Sequence, residues 1–492
     1  MAHKAFFGTL LSMLAAQAAG QFGPAAPHNT GFNSTFTFTV AQIEAAQLDG
    51  ALVESLQAII DFDRTQLAFG GPRHDDFYRL PPLTNTSGPL APGQVIKVQE
   101  HVDASAFALP PHTSLSRLLY TSRNANGTVI PTSGFVLWPY LPRGSSDGKR
   151  AKMVVWTHGT SGFFAPQAPS AHRGLWYDEM GPFALAQAGY AVFAPDYHGL
   201  GVSASWDGSP IWHQYLMWPS LAADALHGVS AARAAFPHLL DGDDFVVIGH
   251  SQGGGAAWAV AEALADGKNG SSEFAGLRAG YRGTVALSPM TELFAVPTTW
   301  MAPTSALSLA SVFPDFEVTE WMTPLGAARL RLAREVDAGL VAFQQLLPLD
   351  PVAGMVRPDW NESWYGAALS DLAGVGRRDF AGPLLVIQGD EDVIVAPETT
   401  IGQVERAWRR HPKHDLELLV AESVGHTSLM LATRQLWLRW VDDRLQGVPL
   451  AKKGPVWTDV RGMLSKERYL AARNSFPLWA GLPQFSYEVP LP

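Results

Sequence analysis

A serine hydroxyl becomes a nucleophile only when a base takes its proton, and that base needs a partner to fix its tautomer and stabilise its cation. The chain offers all three parts. Ser251 stands in Gly249-His250-Ser251-Gln252-Gly253, directly after the apolar run Val246-Val247-Ile248 and directly before an alanine-rich helical pattern. Strand, sharp turn and helix in that order push a hydroxyl out above the end of a sheet. The glycine two residues to either side leaves room for a strained backbone, and the start of the helix favours the negative charge of an oxyanion. His426 follows Gly425 just past the apolar run Leu416–Val420, a setting that suits the base. The acid has three candidates, Asp390, Glu391 and Asp392, in the loop after Leu384–Ile387; the spacing Gly-x-x-Asp-x-x-Val points to Asp392. Serine, acid, histidine is also the chain order that accompanies a nucleophile on such a turn.

An oxyanion needs two backbone N–H donors. One is expected from Gln252, directly after the serine, and the other from the His158-Gly159-Thr160 loop, at Thr160. His158, Gly159 and His250 are expected to line the substrate site. His158 and His198 are expected to shape the pocket or bond backbone rather than to move protons.

These residues must be positioned by a larger frame. A helix is expected from Val40 to Phe62, followed by loop around Pro81–Gly93. Strands are expected at Val95–Val102, Ser116–Thr121 and Thr128–Trp138, the last two joined by a hairpin turn at Asn124-Ala125-Asn126-Gly127. From residue 150 strands alternate with helices: strands at Met153–Thr157, Ala191–Ala194, Val246–Ile248, Gly283–Leu287, Leu384–Gln388 and Leu416–Ala421; helices near Asp178–Ala188, Leu221–Ala235, after Ser251, near Thr399–Arg410 and near Ser428–Leu445. That rhythm predicts an α/β fold, a mainly parallel sheet with helices on both faces. Residues 291–380 interrupt it with one amphipathic helix carrying Leu325, Leu332, Val336, Leu340, Phe343 and Leu347 on one face, and with a dense set of aromatics. An insertion there sits over the strand C-termini, where open α/β sheets bind ligands, and is expected to form a cap whose aromatics are mostly its own core. The expected division is core at 21–290 and 381–447 with an N-terminal extension, cap at 291–380, and a C-terminal extension at 448–492 that packs on the core.

The chain has 492 residues, 47% hydrophobic and 16% charged, enough to bury a large core. A net charge of −10 argues against a nucleic-acid partner. Residues 1–20 resemble a secretory leader: Lys4, an apolar run from Ala5 to Leu14, and Ala16-Gln17-Ala18 as a cleavage site. The run is too short to serve as a stable membrane anchor. Sequons at Asn33, Asn85, Asn126, Asn269 and Asn361 agree with a secreted, glycosylated protein. There is no cysteine, which excludes thiol catalysis and thiolate metal sites.

The serine turn, the acid loop and the histidine loop together resemble the α/β-hydrolase superfamily over about residues 95–447. Within it, Trp156-Thr157-His158-Gly159-Thr160-Ser161-Gly162, Ala168-Pro169-Ser170 and Pro195-Asp196-Tyr197-His198-Gly199-Leu200-Gly201 are similar to the fungal secretory-lipase family. The resemblance implies an α/β-hydrolase fold with a helical cap and Ser251, Asp392 and His426 as a triad. It implies a secreted carboxylester hydrolase acting on a small-molecule or lipid ester, with no metal and no organic cofactor. The chain departs from that family in having no cysteine. An acyltransferase with the same triad, a serine peptidase and a non-catalytic binding protein are the rival readings, and acyl chain length and oligomeric state are not encoded in any motif.

Overall fold

The computed structural model describes residues 34–83, 90–143, 148–265, 273–293, 301–348 and 354–469. The strands are β1 (Val95–Gln99), β2 (Ser114–Arg123), β3 (Val129–Trp138), β4 (Ala151–Thr157), β5 (Ala191–Pro195), β6 (Leu240–His250), β7 (Tyr281–Leu287), β8 (Leu384–Gly389), β9 (Leu416–Ala421) and β10 (Pro455–Val460). They form one sheet in the order β1-β2-β3-β5-β4-β6-β7-β8-β9-β10. β1, β2, β3 and β5 pair antiparallel, and every pairing from β5 to β10 is parallel. The β2–β3 turn falls where Asn-Gly placed it: Gly127 has a φ of 80°, and the Asn124 N–H donates to the Thr128 carbonyl at 3.0 Å.

The helices are α1 (Val40–Ala45), α2 (Gly50–Thr65), α3 (Pro182–Gln187), α4 (Trp218–Ala235), α5 (Gln252–Ala265), α6 (Ala275–Arg278), α7 (Met301–Val312), α8 (Pro324–Glu335), α9 (Leu340–Leu346), α10 (Trp364–Leu372), α11 (Pro397–Arg410), α12 (Ser428–Ala432) and α13 (Arg434–Leu445). The parallel strands are apolar on both faces, as strands covered on both sides must be. Val154, Trp156, Val246, Ile248, Val285, Leu287, Leu385 and Ile387 face α3 and α13. Their alternates Val155, Val247, Ala286, Leu384, Val386 and Leu418 face α4, α5 and α11 in a larger core. That second core continues into α2 and α7–α10.

Three expected helices are each broken in two, by local chemistry. The helix expected over Val40–Phe62 stops at Gln47, whose φ is 49°; Asp49 then caps α2 by accepting from the Leu52 N–H at 2.8 Å. The amphipathic helix of the insertion is α8 and α9, separated by Asp337 at φ 52° and by the Ala338 N–H closing back on the Ala333 carbonyl. The helix expected at Ser428–Leu445 divides at Thr433, whose hydroxyl bonds the Leu429 carbonyl at 2.7 Å. The C-terminal extension holds an unexpected strand: β10 pairs in parallel with β9 from Pro455↔Leu416 to Val460↔Ala421. Its proline start and half-exposed alternation read locally as loop, and only the distant partner makes it a strand. Residues 470–492 and the leader-like segment 1–20 lie outside the described residues. No helix among the described residues is long and apolar enough to cross a membrane.

The insertion packs against loops that leave the C-terminal ends of β4 and β5. Phe343 of α9 meets Phe163 at 4.4 Å between ring centroids, and the Ser308 hydroxyl of α7 donates to the Tyr215 carbonyl at 3.1 Å. Phe316, Trp321, Trp360 and Tyr365 are buried against one another, in a cluster continuous with the larger core of the sheet; Trp364 is 60% exposed.

Asp63 of α2 is half-buried, at the wall of a cavity of about 200 Å³ between α2 and the α8–α9 turn. It follows the buried Ile59 and Ile60 by one helical turn and so shares their face. Both carboxyl oxygens are buried without a hydrogen-bond partner, and a Cβ at Gly339 would lie 2.2 Å from one of them. Burial pushes the carboxyl up to about 8. The fold therefore prefers the protonated acid, and stability is lost progressively as pH rises from about 4 towards 8. The expected result for Asp63→Asn is a gain on the order of 3 kcal/mol at pH 7.5 that fades near pH 4, measured by denaturant unfolding at both pH values. An equal effect at the two pH values would refute it.

Candidate active site

Ser251 occupies the single-residue turn between β6 and α5. Its φ of 59° is left-handed, an unusual state for a non-glycine residue. The surroundings hold it there. Its N–H donates to the Leu287 carbonyl at 2.9 Å, and its own carbonyl accepts from Gly255 at 3.1 Å and Met290 at 3.2 Å. The flanking glycines are required by crowding, not by their dihedrals: a Cβ at Gly249 would sit 2.1 Å from the Thr157 hydroxyl, and one at Gly253 would sit 1.9 Å from the Thr157 carbonyl. β4 thus passes too close to the turn for any side chain at either position.

The loops after β8 and β9 leave the same edge of the sheet as the turn. His426 Nδ1 lies 2.7 Å from Asp392 Oδ2. The His426 ring stands 4.4 Å, centroid to centroid, from that of His250, the residue before Ser251. Asp392 is 4% exposed and accepts three further bonds: from the Ile394 N–H at 2.9 Å, the Val395 N–H at 2.8 Å and the Gln388 amide at 3.1 Å. Burial alone would raise its carboxyl, but the bonds from His426, Val395 and Ile394 outweigh that and hold it below the usual range. Of the three acids, Asp392 alone meets His426. Asp390 is exposed and accepts from the Ser423 N–H, and Glu391 pairs with Lys466.

Gln252 is the first residue of α5, so its N–H has no intrahelical acceptor; its side-chain amide meets His213 Nε2 at 3.1 Å. Thr160 is held through its hydroxyl on Tyr215 at 2.8 Å and through its carbonyl, which accepts from the Trp176 indole at 3.3 Å. The same cavity of about 200 Å³ adjoins this loop at Ser161 and Trp176; Ser251 is not among its walls.

The reading of His158 and His250 as substrate contacts needs correction. His158 is fully buried, with Nδ1 on the Gly159 carbonyl at 2.8 Å and Nε2 on the Asp196 carbonyl at 3.2 Å. Burial pushes it down to about 4. His250 is 1% exposed, with Nδ1 on the Tyr177 hydroxyl at 2.8 Å and Nε2 on the His426 carbonyl at 3.0 Å. Burial and the neighbouring His426 push it well below the ordinary histidine value. His250 spends both nitrogens on the scaffold, accepting from Tyr177 and donating to the His426 carbonyl, while the neutral His158 ring donates to one of its two carbonyl neighbours. His250 ties the histidine loop to the serine turn. Gly159 is the point of close approach, since a Cβ there would lie 1.9 Å from the Tyr177 oxygen.

His198 bonds Asp224 at 2.7 Å, a second imidazole–carboxylate pair. It is sealed at 1% and 0% side-chain exposure, whereas His426 keeps 9%, so of these two pairs His426 is the one with access to a reactant. The sequence reading missed Tyr177, Tyr215 and His213. Tyr177 belongs to a run, Leu175 to Asp178, with four consecutive positive φ values, which no residue type in it announces. Of the sequons, Asn126 and Asn361 are exposed; Asn126 donates its amide to the Val312 carbonyl at 2.8 Å. Asn33, Asn85 and Asn269 lie outside the described residues.

Comparison with known proteins supports the same frame. No curated protein sequence matches the chain. Candida antarctica lipase A in its closed state is similar in structure, with a TM-score of 0.61 at 15% identity over 85% of this chain and 95% of that one. The ligand-bound rice cell wall degrading esterase LipA of Xanthomonas oryzae has a TM-score of 0.56 at 17% identity over 73% of this chain and 100% of that one. The profile described as "Alpha/beta hydrolase family" matches residues 154–440, the stretch from β4 to α13 that contains the serine turn, the acid loop and the histidine loop, and the chain belongs to that family.

Proposed function

We propose that this protein is a serine carboxylester hydrolase of the lipase or esterase type. The observation that carries the reading is the His426–Asp392 bond of 2.7 Å, set beside a left-handed Ser251 at the C-terminal edge of a parallel sheet. The names of the two structural neighbours, a lipase and an esterase, agree with it.

In this reading His426 Nε2 takes the Ser251 proton as Oγ attacks the ester carbonyl. Asp392 keeps the Nδ1 proton in place and stabilises the imidazolium. The carbonyl oxygen becomes an oxyanion and accepts from the Gln252 and Thr160 N–H groups; one such donor is typically worth about 10²–10³ in rate. The alkoxide leaves with the proton from His426, giving an acyl-enzyme and a free alcohol. His426 then deprotonates water, which attacks the acyl carbon, and the proton returns to Ser251. Residues 291–380 act as a cap over this edge, and their many aromatics suit an apolar acyl or aromatic ester. The leader-like residues 1–20 and the five sequons support secretion into a glycosylating pathway, and no cofactor takes part.

The test is a fluorophosphonate probe followed by peptide mapping, alongside hydrolysis of p-nitrophenyl esters from acetyl to palmitoyl. One adduct on Ser251 and loss of turnover in step with labelling are expected. An intact, folded protein that neither labels nor releases p-nitrophenol overturns the proposal.

A further inference from the structure

The edge of the sheet opposite the serine turn carries a second convergence of chemistry-bearing side chains. Asp379 lies in the connection that leads into β8. His411 and His414 lie in His411-Pro412-Lys413-His414, the link between α11 and β9. β8 and β9 are parallel neighbours, so all three residues sit at the N-terminal ends of their strands, away from the loops that hold Asp392 and His426. The ligand atoms of the three lie within 4.8 Å of one another. His414 Nε2 is 2.7 Å from Asp379 Oδ1, and His411 Nδ1 is 3.8 Å from the same oxygen.

The two rings are held rather than splayed. Their centroids are 5.2 Å apart, and Phe380 packs against both, at 5.8 Å from His411 and 4.9 Å from His414. The link itself is tied down by the His411 N–H on the Ala407 carbonyl and the His414 N–H on the His411 carbonyl. Among the neighbouring ionic groups, Arg410 donates to the Gly376 carbonyl, and Asp415 accepts from the Gly454 N–H.

We infer that Asp379, His411 and His414 bind one divalent transition ion of the zinc class, through one carboxylate oxygen and two imidazole nitrogens. Two nitrogen donors select zinc, copper or nickel over calcium and magnesium, which ask for oxygen. In a tetrahedral zinc site with bonds of about 2.0–2.2 Å, donors stand about 3.3 Å apart. The distances of 2.7 and 3.8 Å bracket that spacing, so small side-chain rotations suffice. On binding, zinc takes the Nε2 lone pair of His414 beside Asp379 Oδ1; the Nε2 proton is lost to water while Nδ1 gains one, a net change of tautomer that leaves the ring neutral, and water fills the fourth position. Because the site is far from the reacting edge, its effect is on stability. It clips the entry to β8 to the turn before β9, in a chain with no cysteine and so no disulfide to do the same. The outer nitrogens, His411 Nε2 and His414 Nδ1, are buried without an acceptor. Such outer partners are worth about 10–100-fold in affinity, so binding in the micromolar range is expected.

The experiment titrates the chelator-treated full chain with zinc chloride by calorimetry at pH 7.5 and records thermal unfolding with and without 100 µM zinc. One equivalent bound and a rise in Tm of about 2–5 °C are expected, with p-nitrophenyl ester turnover unchanged between the stripped and loaded forms. His411→Ala with His414→Ala should weaken binding at least tenfold and abolish the rise. His414→Gln, which keeps a donor to Asp379, should do so while unfolding at the temperature of the zinc-free protein. Absence of a stoichiometric site, or equal binding in the folded variants, overturns the inference. Neither outcome bears on Ser251, so this proposal and the hydrolase reading fail separately.

Discussion

Ser251→Ala is expected to lower turnover of p-nitrophenyl esters by about 10⁵–10⁶-fold, because the triad acts as a unit and nothing else in the cluster supplies a nucleophile. The residual rate should come from the Gln252 and Thr160 donors alone. The fold should not suffer: alanine meets the same left-handed backbone that serine now occupies at φ 59°, and the three backbone bonds that pin residue 251 need no side chain. Ser251→Gly separates strain from chemistry. It should be equally inactive, yet more stable by about 1 kcal/mol, since glycine takes that φ without steric cost. Steady-state rates with circular dichroism and thermal unfolding on the three proteins decide the matter. Turnover within tenfold of the parent in either folded variant would remove Ser251 from the chemistry.

The second large effect is expected at Asp392. Asp392→Asn should cost about 10⁴-fold in kcat, and the geometry says why. Asp392 Oδ1 accepts from the Ile394 and Val395 N–H groups, which an asparagine oxygen would also do. That choice turns the asparagine NH₂ towards His426 Nδ1, where the carboxylate now accepts. The imidazole must then carry its proton on Nε2, the wrong nitrogen for a base facing a hydroxyl. Asp390→Asn and Glu391→Gln, whose carboxylates serve the Ser423 turn and Lys466, should stay within about threefold of the parent. Equal losses at all three acids would mean that the loop, not one carboxylate, is what matters.

Much of this site was legible before any coordinates, because its parts carry local signatures. A serine between glycines at the end of a β-branched run, an acid with its glycine and valine at fixed offsets, and a histidine just past the last expected strand are each visible within ten residues. The helix breaks were harder. Gln47, Asp337 and Thr433 are all compatible with helix, so the local bonds that close each break are not announced by the residue types. The scaffold histidines were misjudged for the same reason. Nothing in the local sequence says that His250 will spend one nitrogen on Tyr177 and the other on a carbonyl 176 residues away.

The amino-acid order by itself determined the alternation of strands and helices and the serine turn, and it pointed to Asp392 among three acids, because these follow from hydrophobic period, glycine placement and short-range spacing. Which imidazole meets Asp392, which carboxyl is buried without a partner, and which two histidines join Asp379 at the far edge were settled only by the tertiary structure. Those are questions of distance and burial between residues far apart in the chain, and the free energy of a polar group depends on what surrounds it after packing, not on its neighbours in sequence.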